Sequence, residues 1–275
     1  MAAITELWRY PVKSMQGERV DAVVVNERGV VGDRRFALLD DEGVVVSAKH
    51  PRKWGDVLRY QARLIDADIV EIAGPDGTVV RSNDPEVDAV LSQSLGRTVT
   101  LIATPPDGAR YEMLFLDVEG VAPADAIAAT RTGDEEDGTM TAQSLGMAAP
   151  GTFVDVAPLH LLTTATLARL STDVRRLRPN VLIDCDDDAF GENGWSGRTI
   201  ELGADVRATG LLPTMRCVMT TLAQPGLPRD RGVLQTLARD NRVEIPGLGT
   251  WACAGAYCTV AAAGKVAVGD AVDVS

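Results

Sequence analysis

Residues 19–47, RVDAVVVNERGVVGDRRFALLDDEGVVVS, decide the class of fold. Arg19 to Val25, Arg35 to Leu39 and Val44 to Ser47 are short runs of β-branched and apolar residues, the kind that fit a pleated, half-buried surface. Glu27-Arg28-Gly29 and Asp40-Asp41-Glu42-Gly43 are turn signals between them. Outward from this stretch the pattern continues. Ile4 to Tyr10 reads as a strand before it, and Leu58 to Leu64, Ile69 to Ile72 and Thr78 to Val80 read as strands after it, the last two joined at Gly74-Pro75-Asp76-Gly77. A helix is expected over about Pro85 to Leu95, capped by Asn83 or Asp84, with Val87, Val90, Leu91 and Leu95 on one face and Gly96 as the stop.

Residues from about 104 to 151 differ. They hold Pro105-Pro106, Pro123 and the acidic run Asp134-Glu135-Glu136-Asp137, which read as a long, partly irregular connection with the acidic run as a solvated loop. In the second half, Thr163 or Thr164 caps a short helix through Leu170, and Val181-Leu182-Ile183 is a buried strand. Arg198 to Leu202 and Asp205 to Ala208 form a hairpin turned at Gly203. Arg231 to Asn241 is a helix, and Tyr257 to Ala261 and Lys265 to Val274 are strands. There is no repeat of fixed period, no glycine-rich dinucleotide or P-loop pattern, and no strand–helix–strand rhythm of a doubly wound sheet. The expected fold is mainly β with some α. It has a β-barrel-like domain over residues 1–105 and a second β-barrel domain with a few helices over residues 106–275, the boundary lying within about 104–151.

A chain of 275 residues is long enough for two modest cores, and with only 4% aromatics Ala, Val and Leu must fill them. The 27 Lys and Arg against 39 Asp and Glu give a net charge of −12, which repels nucleic acid and anionic lipid, so neither is an expected partner. It also makes the arginines that sit inside unusual motifs informative. No apolar run reaches the roughly 18 residues of a membrane span. No basic region followed by an apolar stretch opens the chain, so the expected address is cytoplasmic. There Cys185, Cys217, Cys253 and Cys258 are reduced thiols. Cys253 and Cys258 have the first spacing of a plant-type iron–sulfur motif, but no cysteine follows Cys258, so no cluster is expected and both read as small buried residues.

In Tyr10-Pro11-Val12-Lys13-Ser14 the proline ends ladder pairing and delivers Lys13 at a strand end, which suits a surface charge and a functional one equally. In Gly32-Asp33-Arg34-Arg35-Phe36 the adjacent arginines point to opposite faces, so one is aimed inward, where it needs an anion or a carboxylate such as Asp33. In Leu177-Arg178-Pro179-Asn180-Val181, Arg178 and Asn180 share a face at the edge of an apolar strand. A guanidinium beside a carboxamide suits a phosphate or a pterin-like edge. The alternative pairs Arg178 with Asp184, Asp186 or Asp187. In Pro213-Thr214-Met215-Arg216-Cys217-Val218-Met219-Thr220-Thr221 a cysteine follows an arginine and precedes hydroxyl residues, a setting that favours the thiolate, a soft metal ligand. A buried inert cysteine is the alternative, and this motif by itself leaves the two undecided.

In that order, and completed by Gly-Lys-Val-Ala-Val-Gly-Asp-Ala-Val near the end, these motifs resemble the MOSC family, the molybdenum-cofactor-sulfurase C-terminal domain preceded by its N-terminal β-barrel domain. Mitochondrial amidoxime-reducing components and their bacterial relatives share the arrangement. The resemblance spans nearly the whole chain. It implies a molybdenum cofactor, a pyranopterin dithiolene with a phosphate, bound in a cleft between two domains. Cys217 would be the ligand to molybdenum, and Lys13, Arg34, Arg178 and Asn180, helped by Arg216, would hold phosphate and pterin. The pyridoxal-phosphate domain of the sulfurases and the ferredoxin domain of some bacterial relatives are not part of this sequence. Neither pyridoxal phosphate nor an iron–sulfur cluster is therefore expected on this chain alone. The implied activity is reduction of small N-hydroxylated substrates with electrons from a separate ferredoxin- or flavin-type protein. A cofactor carrier without turnover is the alternative.

Overall fold

Ile4 and Leu7 turn inward from a strand, Ala3–Arg9, whose other side chains stay half-exposed, and this strand completes the main barrel. The computed structural model describes residues 2–185 and 188–275. Among the described residues the largest sheet has nine strands. Its central run is Ala3–Arg9, Val181–Asp184, Leu159–Thr163, Gly249–Ala262, Val206–Met215, Thr199–Leu202 and Val272–Val274. The last strand returns to the first. Ala3 bridges Ala271, Ile4 N–H donates to the Asp270 carbonyl at 2.9 Å, and Val272 N–H donates to that of Ala2 at 3.0 Å. The run closes into a barrel filled by side chains such as Leu161, Ile183, Ile200, Val206, Ala256 and Cys258. Leu159–Thr163 and Val181–Asp184 pair in parallel and need a crossover, which the helices Thr164–Leu170 and Val174–Leu177 supply. Gly255 interrupts the long strand Gly249–Ala262 at φ +89°, and a Cβ there would lie 2.7 Å from the Leu161 carbonyl oxygen, so only glycine lets the two strands approach.

A second core gathers Val12, Met15, Trp54, Tyr60, Ile72 and Leu91. It is wrapped by the pair Ala37–Asp40 and Val99–Ile102 and by the three strands Gln61–Asp66, Ile69–Ala73 and Val79–Arg81. The first hundred residues therefore serve two assemblies, since Ala22–Asn26 also pairs with Gly264–Ala267. No helix among the described residues is long and apolar enough to cross a membrane.

The mainly β fold with some α is as expected, with local corrections. Arg19 to Val25 is two strands, because Glu18–Val20 pairs with Ala3–Arg9 and Ala22–Asn26 leaves at Asp21 for another partner. Val44 to Ser47 forms a single bridge, Leu39 to Val45; the Asp40 carboxylate accepts Val44 N–H at 2.8 Å and holds the segment as a turn. Leu58 belongs to the turn Gly55–Arg59 ahead of its expected strand. The largest correction is the segment near 104–151, which is an ordered three-stranded sheet of Arg110–Leu116, Arg131–Glu135 and Gly138–Ser144 with a helix, Ala124–Thr130. Its acidic run is not a free loop. Glu135 pairs with Arg52 at 2.6 Å, and Asp137 takes Arg229 at 3.0 Å and also Arg231.

One buried polar cluster braces the barrel. Glu192, 1% exposed, accepts the Thr163 hydroxyl at 3.0 Å, the Thr166 hydroxyl at 2.9 Å and Gly255 N–H at 3.2 Å. Burial raises its carboxyl above the usual range against the pull of these donors.

Candidate functional site

Where the barrel meets the second core lies a cavity of about 390 Å³, lined by Lys13, Arg34, Arg178, Asn180, Arg216 and Cys217 together. Backbone punctuation places each of them. Lys13 follows the end of Ala3–Arg9, where Val12 bridges Phe36. Arg34 sits in a turn at φ 43°, and Arg178 closes the helix Val174–Leu177 at φ 56° rather than standing at a strand edge. Cys217 caps the short turn Val218–Thr221 after Val206–Met215 ends. Arg35 turns the other way, toward Asp68 at 3.3 Å.

The floor of the cavity is cationic. Lys13, 6% exposed, donates to the Phe153 carbonyl at 3.0 Å and pairs with Asp155, whose other oxygen is 2.8 Å from Lys49 Nζ. Lys49 also lies 3.2 Å from the Tyr111 hydroxyl. Burial pushes Lys13 down to about 8. Burial also opposes the Lys49 charge, but Asp155, Tyr111 and Cys217 outweigh it and hold Lys49 well above its ordinary value. The two ammonium groups keep Asp155 ionised, far below the usual carboxylate range despite its burial. Arg34 donates to Asp33 at 2.6 Å, and the Arg34 and Arg178 guanidiniums lie 4.4 Å and 4.3 Å from the centroid of the Tyr10 ring. Burial first, and Arg34 second, lower Arg178 to about 10. His160 is held well below its ordinary value by burial and by Arg216, so it is neutral.

Among the described residues five Lys and Arg side chains line this cavity against two carboxylates, Asp33 and Asp155, in a chain of net charge −12. Their donors are not all used. Arg178 donates from Nη2 to the Met15 carbonyl at 2.8 Å and Arg216 from Nη2 to that of Leu177 at 2.7 Å, while Arg178 Nη1 and Arg216 Nε are buried without a partner among the described residues. The carboxylate alternative for Arg178 is not what holds it. Asp184 accepts the Thr164 hydroxyl at 2.8 Å, and Asp186 and Asp187 lie outside the described residues. Asn180 lines the cavity but also stitches its wall, accepting His160 N–H at 3.1 Å and donating to the Trp8 carbonyl at 3.4 Å.

Cys217 stands at the seam between this floor and an apolar wall. It packs beside Phe115 and Trp251, whose rings are 6.0 Å apart, and is half-buried. Among the described residues it is the cysteine that lines the cavity. Cys253 and Cys258, as expected, are buried on one strand, where burial pushes both thiols up to about 12. Among the described residues no three His, Cys, Asp or Glu side chains converge as a cage for a bare metal ion.

Residues 1–105 match the MOSC N-terminal beta barrel domain, and residues 150–273 match the MOSC domain. The chain belongs to the MOSC family. That family is associated with molybdenum-cofactor binding. No curated protein matches the chain. Among solved structures, the YUAD protein from Bacillus subtilis is similar over 100% of this chain and 96% of that one, at 11% identity and a TM-score of 0.44. Within this MOSC protein, Lys49, Asp155, Tyr111 and His160 are the cavity residues that sequence reasoning missed. No proline, glycine or paired arginine marks them; the signal available was two lysines, 13 and 49, each at the end of a predicted strand.

Proposed function

We propose that this MOSC protein binds the molybdenum cofactor in the cavity with Cys217 as the thiolate on the metal. With electrons from a separate ferredoxin- or flavin-type protein, it reduces N-hydroxylated compounds. The observation that carries the reading is a lining thiol beside a buried cationic floor whose donors the chain leaves unpaired. Each unpaired buried donor costs about 1–3 kcal/mol, which a phosphate oxygen or a pterin edge relieves. The donor set fits the group: ammonium and guanidinium for a phosphate, a soft thiolate for a metal already held by sulfur.

Lys13, Arg34 and Arg178 would hold the anionic end, Arg216 would reach the heterocycle, and Asn180 would fix the wall on which Arg178 and His160 stand. When bound, the cofactor supplies a two-electron centre able to reduce an N–O bond. Reduction takes up two protons and releases water. Lys49 Nζ, kept protonated by Asp155, holds a proton within the electrostatic reach of Cys217. The closed floor keeps bulk water from competing for the fixed donors.

Protein made in a host that synthesises the cofactor should carry about one molybdenum per chain, and Cys217→Ala should fold yet lose amidoxime reduction driven by reduced viologen. NADH or NADPH alone should support negligible turnover. Full reductase activity in Cys217→Ala would refute the ligand assignment, and metal bound without any turnover would favour a cofactor carrier.

A further inference from the structure

The two sides of the cavity come from different stretches of chain. The cationic floor lies wholly within the two family-matched regions: Lys13, Arg34 and Lys49 in the first, Asp155, Arg178 and Arg216 in the second. Most of the opposite wall does not. Met113, Phe115, Ala129 and Met147 belong to residues 106–149, between the matched regions, and Leu248, in the turn after Arg242–Ile245, and Trp251, at the start of Gly249–Ala262, complete the wall. None of the described residues on this wall is charged. Two of its large apolar side chains reach solvent, Met147 at 67% and Leu248 at 37% exposure, while Met113 and Phe115 lie buried behind them. Trp251 Nε1 donates to the Leu248 carbonyl at 2.8 Å, which fixes the indole at the edge of the opening.

From this division we infer that the wall of Met113, Phe115, Ala129, Met147, Leu248 and Trp251 is the substrate subsite, and that it selects uncharged substrates with a flat aromatic or bulky aliphatic body. The inference rests on the reductase reading of the same cavity. Thr130, Gln143 and Ser144 also line the cavity from this segment, but the six apolar side chains offer a polar body no partner, and desolvating one against them costs free energy that an aryl group does not incur. Aromatic and thioether side chains give a ring dispersion and edge contacts. The seam position of Cys217 lets a substrate lie on the wall with its N–O group directed toward the thiol side of the floor.

The test uses the cofactor-loaded protein with reduced viologen as donor, and two neutral amidoximes. Benzamidoxime should be reduced with a kcat/KM at least about tenfold above that of acetamidoxime, the scale on which an apolar pocket discriminates. The ratio should fall to within about threefold of unity in Met147→Asp and in Trp251→Ala, mainly through KM for benzamidoxime. Met147 is exposed, so that variant keeps the fold. Calorimetric binding of the same compounds without reductant gives a second readout. Tighter benzamidoxime binding that both variants abolish supports the subsite even if neither compound turns over, an outcome that would defeat the reductase reading alone. Equal affinities for the two compounds, or a preference untouched by both variants, would overturn the subsite.

Discussion

Two of the buried polar clusters among the described residues, one around Glu192 and one on the cavity floor, are finished to different degrees. Around Glu192 every carboxylate bond is answered by the chain itself, from Thr163, Thr166 and the Gly255 amide. On the cavity floor the carboxylates are equally well paired, but among the described residues the cations outnumber them and two guanidinium nitrogens have no partner. A satisfied cluster braces a fold. An unsatisfied one, with charge left over, is built for something that arrives from outside.

The sharpest way to break this comparison is to damage the finished cluster. Glu192→Ala strands two buried hydroxyls and an amide, and should lower the urea unfolding free energy by about 3 kcal/mol or more. Molecules that still fold should bind as much molybdenum as the parent. Loss of cofactor at unchanged stability would reverse the roles assigned to the two clusters. The next effect is smaller and opposite in kind. Arg178→Met keeps the apolar stem and should weaken cofactor retention by about 10–100-fold, the worth of a charge-assisted hydrogen bond. Urea stability should stay the same or rise, because an underpaired buried charge has gone. A large stability loss would make Arg178 a brace after all.

The smallest expected effect is a pH slope in the cofactor-free protein. Lys13 sits at about 8 when folded against 10.5 unfolded, so across that window the folded chain binds fewer protons than the unfolded one. Stability should therefore rise with pH between those values, by no more than about 1.4 kcal/mol per pH unit. Lys49, held above its ordinary value, keeps its contribution through the window and loses it only at higher pH. Lys13→Met should flatten the slope, and so should saturating inorganic phosphate. A slope unchanged by both would mean that Lys13 is not the group responsible.

The residues legible in the sequence are those whose backbone neighbours force their position. Pro11 stops a strand just before Lys13, Pro179 fixes the turn between Arg178 and Asn180, and Arg34 and Arg35 cannot face the same way. Lys49 and Asp155 lack such marks. They matter because Lys13 meets Asp155 across 142 positions of sequence, and a long-range encounter leaves no local period. The segment 104–151 misled for a related reason. Its acids and prolines look like a loop until Arg52, Arg229 and Arg231 arrive from distant parts of the chain to neutralise them. The end of the helix Val87–Leu95 is legible by contrast, since its apolar stripe and the left-handed Gly96 cap are both local, whereas Glu86, not Asn83 or Asp84, stands at its N-terminus and makes no side-chain cap.

The return of Val272–Val274 toward Ala2 and Ala3 has a consequence for how the protein is made. The strand Ala3–Arg9 has one ladder partner close at hand, Glu18–Val20, but finds its barrel partner, Val181–Asp184, only after most of the chain has been translated, and its closing bridge to Ala271 forms later still. Until then Ile4 and Leu7 have no barrel interior to enter, whereas the second core, built from residues 12–99, has all its parts in hand. Contacts of such long sequence separation form slowly because loop closure precedes any reward. Synthesis from the amino end should thus yield a folded second core beside a leading strand paired on one side only, and the cavity floor, which needs both Lys13 and Arg216, assembles late.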